Sequence, residues 1–239
     1  MRKMLALCLL VPVIGFSQAK IVLNSVRVFP KQEKISEFEK ALATHAQKYH
    51  TGEWKWRVYA IDSGPDAGGY MISEGPNSWE ALDSRGDLGA EHTADWSKNV
   101  APLTIDRGGS TYVEFQTDLS TVQLTDYADK IVINHMTAKP GKINAVTDLI
   151  SKMKNAWQAG GESVAVYQQV VSGEPGYTTV TRLKGGLKEL ATGFRKPLKD
   201  RYNTANGAGS FDQFLKDYAE DVENRWSELL IFKADLSSK

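Results

Sequence analysis

The stretch Lys20-Ile21-Val22-Leu23-Asn24 returns 110 positions later as Lys130-Ile131-Val132-Ile133-Asn134. Each half of the chain also closes on a similar string, residues 115–120 in the first and 232–237 in the second. Solenoid repeats are 20 to 50 residues long, so a repeat of this length indicates two similar domains instead. The sequence therefore predicts a chain made of two related halves.

Both halves begin with a predicted strand and a predicted helix. Residues 21–29 and 131–138 are rich in β-branched side chains, and each run stops at a proline, Pro30 or Pro140, which disfavours further strand pairing. Apolar residues then recur at three- and four-residue steps, which predicts an amphipathic helix. The stripe residues are Ile35, Phe38, Leu42, His45 and Tyr49 in the first half, and Ile143, Val146, Ile150, Met153 and Trp157 in the second.

A hairpin, a helical region and a last strand follow in each half. Glycine-containing turns at 63–69 and 172–176 each separate two strand-like runs, which is typical of β-hairpins. In the first half the helical region covers 78–100, and residues 106–110 are interpreted as a turn before a strand at 111–117. In the second half a helical stripe runs from Phe211 to Trp226, before a strand at 228–233.

The order β-α-β-β-α-β in each half is the ferredoxin-like arrangement, with four antiparallel strands and two helices on one face. The predicted fold class is α+β, with two tandem ferredoxin-like domains packed sheet to sheet as an intrachain α/β barrel. The domains cover residues 20–118 and 130–239, and residues 119–129 form the linker. The polar stretch near 195–209 is predicted to be an insertion in the second domain and a surface excursion.

Residues 1–19 are predicted to be a signal peptide, with Arg2 and Lys3 before a short apolar run. The run is too short and too interrupted for a membrane span. We expect a periplasmic or extracellular protein, and cleavage would remove Cys8, the only cysteine. The remaining chain has 27 basic and 29 acidic side chains, a net charge of −2, which disfavours nucleic acid as a partner.

The chain resembles the dimeric α/β-barrel superfamily, which includes antibiotic-biosynthesis-type monooxygenases, haem-degrading monooxygenases and stress-response domains. The resemblance rests on the element order, on Trp79-Glu80-Ala81-Leu82 at the start of the second helical region, and on His92 shortly after it. It implies that Asn24, with Trp79 or Trp54 and His92, could surround a substrate. These domains share shape more than residues, so the resemblance alone does not assign a function.

The asparagines are the strongest candidates for ligand binding. Strand alternation places Asn24 on the same apolar face as Val22 and Val26, and it places Asn134 beside Val132 and Met136. A buried amide needs hydrogen-bond partners, which a ligand or the backbone could supply. Trp54 and Trp56 share one side of a strand, where they form core or line a cavity.

The histidines admit simpler interpretations. His45 occupies a helical position that Met153 holds in the second half, which favours a core role, and His50 follows at a spacing that does not share its helix face. His92 fits a solvated helix end. His135 could point between the sheets and is the better ligand if a metal or haem binds.

Two functions remain open after these observations. The preferred one is a secreted protein that binds a small apolar ligand without catalysis, as a monomer or homodimer, because the two halves differ at every histidine. The alternative is a cofactor-independent or haem-linked monooxygenase. We assign no catalytic residue, and we expect no bound metal ion and no cofactor. The resemblance to the superfamily would nevertheless allow haem as a cofactor. Each half should have a site between helices and sheet, and the two sites should differ in polarity.

Overall fold

The computed structural model describes residues 19–239, so residues 1–18 of the predicted signal peptide lie outside it. The described chain is α+β, with eight strands that form one closed antiparallel barrel. The strands are β1 (Val22–Pro30), β2 (Trp56–Ser63), β3 (Tyr70–Asn77), β4 (Thr104–Phe115), β5 (Lys130–Ala138), β6 (Val164–Val171), β7 (Gly176–Arg182) and β8 (Val222–Phe232). The α-helices are α1 (Ile35–Tyr49), α2 (Trp79–Ser84), α3 (Ala90–Asp95), α4 (Ile143–Ala159), α5 (Leu198–Asn206) and α6 (Ser210–Asp221).

The strand order around the barrel is β1-β3-β2-β8-β5-β7-β6-β4. In the first half β1 pairs with β3 and β4, and in the second half β5 pairs with β7 and β8, all antiparallel. The β2–β8 and β4–β6 pairs join the halves and close the ring, which leaves no free edge among the eight strands of residues 19–239. The α+β class, the barrel and the two predicted hairpins are therefore confirmed.

The helices cover the outside of the barrel, and both barrel faces carry apolar residues. The buried face of α1 includes Phe38 and Leu42, which pack over the first half, and α4 does the same over the second half with Val146 and Ile150. A separate cluster around Leu230 fills part of the barrel interior. A ligand site could therefore lie in three places: between the sheet and the helices of the first half, between the sheet and the helices of the second half, and inside the barrel. No helix among residues 19–239 has the length and apolar character needed to cross a bilayer.

Two boundaries in the first half differ from the prediction. Residues 106–110 are not a turn, because β4 already begins at Thr104. Gly108 allows this, since its φ of +134° is open to glycine and a Cβ there would lie 2.2 Å from the Arg27 carbonyl oxygen. Trp54 is likewise not in a strand; it ends a short 3₁₀ turn, and β2 begins at Trp56.

Two stretches of the second half have more structure than the sequence suggested. The stretch 195–209 lies at the surface with most of its residues exposed, but it contains α5, whose Tyr202 is 1% exposed and packs into the core beside α4 and α6. The helical stripe does not reach Trp226, since α6 ends at Asp221 and Trp226 lies in β8. Because β8 follows α6 directly, the apolar residues of the two elements together have the spacing expected of one longer helix.

Candidate functional site

The first cavity is a space of about 410 Å³ between the outer face of the first half-sheet and the helices over it. Its size lies within the range of about 300–1,000 Å³ that is usual for small-molecule sites. The sheet supplies its floor, and the end of α1, the α2–α3 loop and α3 supply its wall. The residues that line it are Asn24, Val26, His50, Trp56, Ile72, Glu74, Arg85, Gly86, Asp87, Leu88, His92, Thr93 and Trp96.

The polar floor of the first cavity is one row of residues across three paired strands. Asn24 of β1 lies opposite Glu74 of β3, and Glu74 lies opposite Trp56 of β2. Residues directly opposite in a sheet present their side chains on the same face. The neighbouring row, Val26 and Ile72, is apolar and lines the same cavity. An amide, a carboxylate and an indole are therefore presented together beside an apolar surface.

Glu74 is the centre of the polar contacts in this row, although it is only 4% exposed. The two terminal guanidinium nitrogens of Arg85 donate to it, at 2.6 and 2.8 Å, and the indole nitrogen of Trp56 donates at 2.9 Å. Burial alone would raise the pKa of Glu74, but the hydrogen bond from His50 and the charge of Arg85 outweigh it and hold that pKa below its usual value. The carboxylate is thus kept ionised in a buried position.

Three of the four histidines of the chain meet at one end of the first cavity. His45 is fully buried, and its Nδ1 lies 2.7 Å from Asp95 Oδ2. His50 stacks on the Trp56 ring, with the ring centroids 3.5 Å apart, and its Nδ1 lies 3.2 Å from Glu74 Oε2. His92 completes the group, with its Nε2 at 3.3 Å from Nε2 of His50.

The environments of His50 and His92 favour the neutral forms of these two rings. Burial lowers the pKa of His50, and this exceeds the opposite effect of its hydrogen bond to Glu74. Burial also lowers the pKa of His92, with further lowering by the neighbouring His45 and Arg85. A neutral imidazole has one nitrogen with a free lone pair, so the group can accept a proton or ligate a metal.

The second cavity lies in the corresponding place of the second half and has a volume of about 430 Å³. Its floor contains Asn134 of β5, opposite Thr179 of β7, which in turn lies opposite Val166 of β6. No histidine or carboxylate is among the residues that line it. These are Asn134, Met136, Val146, Leu149, Ile150, Met153, Trp157, Thr179, Thr181, Leu198, Phe211, Phe214, Leu215, Tyr218, Val222 and Arg225.

His135 faces the barrel interior, not either helical layer. The interior cavity has a volume of only about 130 Å³, which is below the usual range for small-molecule sites. His135 Nε2 lies 2.9 Å from a carboxylate oxygen of Glu228, and its ring stacks on Trp226 with centroids 3.8 Å apart. Glu228 also accepts two hydrogen bonds from Arg27. These contacts give His135 a structural role inside the barrel.

The two tryptophans of the predicted set do not line the first cavity. The indole nitrogen of Trp79 donates to Glu114 at 2.5 Å, and its ring lies beside Tyr112 on β4. Trp54 packs against the guanidinium of Arg85 at 4.3 Å, so it lies behind a residue that lines the cavity. Asn24 and His92 do line the same cavity. The Asn24 amide oxygen accepts a hydrogen bond from Ser110 Oγ at 2.9 Å.

Sequence reasoning missed the residues that organise the site, namely His50, Glu74 and Arg85, together with Trp96. The five-residue spacing of His45 and His50 argues against a shared helix face, and that argument holds only inside a helix. Here α1 ends at Tyr49, and His50 has non-helical dihedral angles (φ −107°, ψ 82°) that turn it back toward His45. Glu74 carried a usable signal, because strand alternation places it on the same face as Ile72.

Haem does not fit the described residues well. The second cavity is apolar, but no histidine lines it. In the first cavity three imidazoles converge on one point, whereas an axial haem ligand is a single side chain facing a flat open space. His135, the candidate from the sequence, has Glu228 on one ring nitrogen and Thr178 near the other. We therefore assign no residue to haem.

Comparison with known proteins shows the fold and no more. No protein-family model and no curated protein matches the chain. An anthrone oxidase-like protein has a similar structure, with a TM-score of 0.59, 13% identity, and coverage of 90% of this chain and 92% of that one. A proposed monooxygenase from Fusobacterium nucleatum gives a TM-score of 0.54 at 13% identity, covering 88% of this chain and 91% of that chain. A variant chlorite dismutase from Candidatus Nitrospira defluvii gives a TM-score of 0.51 at 8% identity, and the match covers 92% of this chain and 94% of that chain.

Proposed function

We propose that the protein binds a small, largely apolar molecule in the second cavity. The observation that carries this proposal is the character of the wall, which is apolar and aromatic apart from Asn134, two threonines and Arg225. Such a wall holds a ligand by shape, and one amide orients it by a hydrogen bond. The volume of about 430 Å³ suits a molecule of one to three rings.

The test is a titration with N-phenyl-1-naphthylamine, a neutral apolar dye that fluoresces when it leaves water. Met153 lines the second cavity, so Met153→Trp should fill it and abolish the fluorescence increase. The matched control is Val26→Trp, which fills the first cavity and should leave dye binding unchanged. Equal dye binding by wild type and Met153→Trp, with both folded by circular dichroism, would contradict the proposal.

A second candidate function is oxidation of an aromatic substrate in the first cavity. It is favoured by Asn24, Trp56 and His92, which line one space, and by the fold shared with a protein described as anthrone oxidase-like. Anthrone is therefore the first compound to test. Its methylene group would gain one oxygen atom from O₂ and lose two hydrogens as water, so the substrate itself supplies all the electrons. A neutral histidine would accept the proton that leaves the methylene carbon.

Oxygen uptake with anthrone tests this second candidate. His92→Ala and Asn24→Ala should each lower the rate at least tenfold, because one removes the base and the other the orienting amide. The control is His135→Gln, since His135 faces the barrel interior and not the cavity. Uptake by wild type that does not exceed the rate without protein would rule this function out.

We further propose that the barrel is built from two ferredoxin-like halves that arose by tandem duplication. The 110-residue sequence offset supports this, and so does the equivalent strand order β4-β1-β3-β2 and β8-β5-β7-β6 in the two halves.

We also propose that the protein is exported, on the basis of the sequence of residues 1–19. N-terminal sequencing of the cellular protein should then find a start near Ala19 or Lys20, and an intact Met1 would refute export.

A further inference from the structure

The histidine cluster formed by His45, His50 and His92 has the geometry of a metal-ligand set. One ring nitrogen from each histidine lies within 4.8 Å of the corresponding nitrogens of the other two. The rings come from the C-terminal part of α1, the residue that follows α1, and α3, so the fold brings them together from two separate stretches of chain. Metal–nitrogen bonds of about 2.0–2.1 Å allow three imidazoles around one ion to have nitrogens at such separations after small side-chain movements.

The carboxylates behind the cluster determine which nitrogens point inward. Asp95 binds Nδ1 of His45, and Glu74 lies on Nδ1 of His50. Nε2 is therefore the nitrogen that each of these two histidines has left for an ion, and the Nε2 atoms of His50 and His92 are 3.3 Å apart. Histidines that ligate metals usually have such a carboxylate on the other ring nitrogen, because it fixes the ring and raises its basicity.

One atom in the cluster has no partner in the described structure. Nε2 of His45 is fully buried and makes no hydrogen bond, although buried polar atoms are nearly always satisfied. An ion bound to it would supply the missing interaction. The charges nearby also include two carboxylates, Asp95 and Glu74, which favour a cation and are partly offset by Lys48 and Arg85.

We propose that His45, His50 and His92 bind one divalent transition-metal ion of the zinc type, with Asp95 and Glu74 as positioning residues. Three imidazole ligands leave the fourth tetrahedral position open. That position faces the first cavity, which His50 and His92 both line. Water or an oxygen atom of a bound molecule would occupy it. The proposal does not depend on ligand binding in the second cavity, and it excludes the use of the same His92 nitrogen as a base while the ion is bound.

Calorimetric titration of untagged, EDTA-treated protein with Zn²⁺ tests the proposal. We expect one ion per chain and a micromolar or tighter dissociation constant. His92→Ala should weaken Zn²⁺ binding at least tenfold, and it is the safest of the three replacements because His92 is only partly buried. Asp95→Asn should weaken binding about 10- to 100-fold through the orientation of His45. Co²⁺ in place of Zn²⁺ should give the visible absorption of a tetrahedral site, and Cu²⁺ should displace Zn²⁺.

The control variant is His135→Gln, which removes the only histidine outside the cluster. It should bind Zn²⁺ within twofold of the wild-type affinity. The proposal fails if wild type binds no Zn²⁺ at 100 μM, a concentration chosen to be about 100 times the expected constant. It also fails if His135→Gln loses as much affinity as His92→Ala, or if folded His92→Ala keeps the full affinity and the Co²⁺ spectrum.

Discussion

Replacement of Glu74 by glutamine should destabilise the protein strongly, because Glu74 is the common partner of several buried groups. Its carboxylate accepts two hydrogen bonds from Arg85 and one from Trp56, and it lies beside Nδ1 of His50. Glutamine keeps the shape of the side chain but removes its charge. The guanidinium of Arg85, whose side chain is 18% exposed, is then left without its counterion.

The size of this effect follows from the burial of the pair. Removal of one partner of a buried ion pair costs roughly 3–5 kcal/mol, since the other charge stays desolvated. Arg85 retains some contact with water, so we expect a loss of about 3 kcal/mol in the free energy of unfolding. Domains are stable by only about 5–15 kcal/mol in total, and a loss of this size is easily measured.

Urea unfolding followed by circular dichroism at pH 7 measures the loss. The exposed pair Lys199–Asp212 provides the control, since its side chains are 54% and 62% exposed and Asp212→Asn should cost less than about 0.5 kcal/mol. The double variant Glu74→Gln/Arg85→Gln should be more stable than the sum of the single losses implies, because it removes both charges. A loss below about 1 kcal/mol in Glu74→Gln would refute a buried, coupled pair.

Three further predictions concern stability. Burial would raise the pKa of Glu228, but hydrogen bonds from Arg27 and His135 hold that pKa below its usual value. The contribution of Glu228 to stability is therefore present above about pH 4.3 and is lost as the pH falls. The stability difference between wild type and Glu228→Gln, measured by urea titration, should shrink from pH 6 to pH 3. Tyr202→Ala should lower the free energy of unfolding by about 3–5 kcal/mol, and a surface role for α5 would leave it nearly unchanged. Gly108→Ala should reduce the melting temperature by several degrees, because its Cβ would meet the Arg27 carbonyl. Gly86→Ala is the control and should have a smaller effect, because Gly86 also has a positive φ (+65°) but has open space around it.

The sequence was sufficient to predict the barrel because its signals are local. Apolar periodicity and turn residues lie within each element, and the repeat fixes the order of the elements twice. The errors occur where a distant contact decides the structure. Gly108 continues a strand because it lies against Arg27, and Tyr202 is buried only because α4 and α6 meet around it. Neither contact leaves a periodic pattern in the chain.

The site could be predicted only where strand alternation applies. It placed Asn24 and Asn134 on the helix-facing side of the sheet, where each now lines a cavity. The histidine cluster could not be found in this way, because it depends on the turn at His50 and on the position of α3 over α1. Both are tertiary features that no spacing of histidines in the sequence indicates.

The two halves of the barrel can be compared position by position, and the comparison locates the chemistry. Asn24 and Asn134 have the same place in their sheets, yet the residue opposite each one is Glu74 in the first half and Thr179 in the second. The next residue in each row is Trp56 or Val166. Both halves share the strand arrangement and the asparagine amide, so these features alone cannot give one cavity a function that the other lacks. Among the described residues that line the two cavities, carboxylates and histidines occur only in the first, and that is where a reaction or a metal ion should be sought.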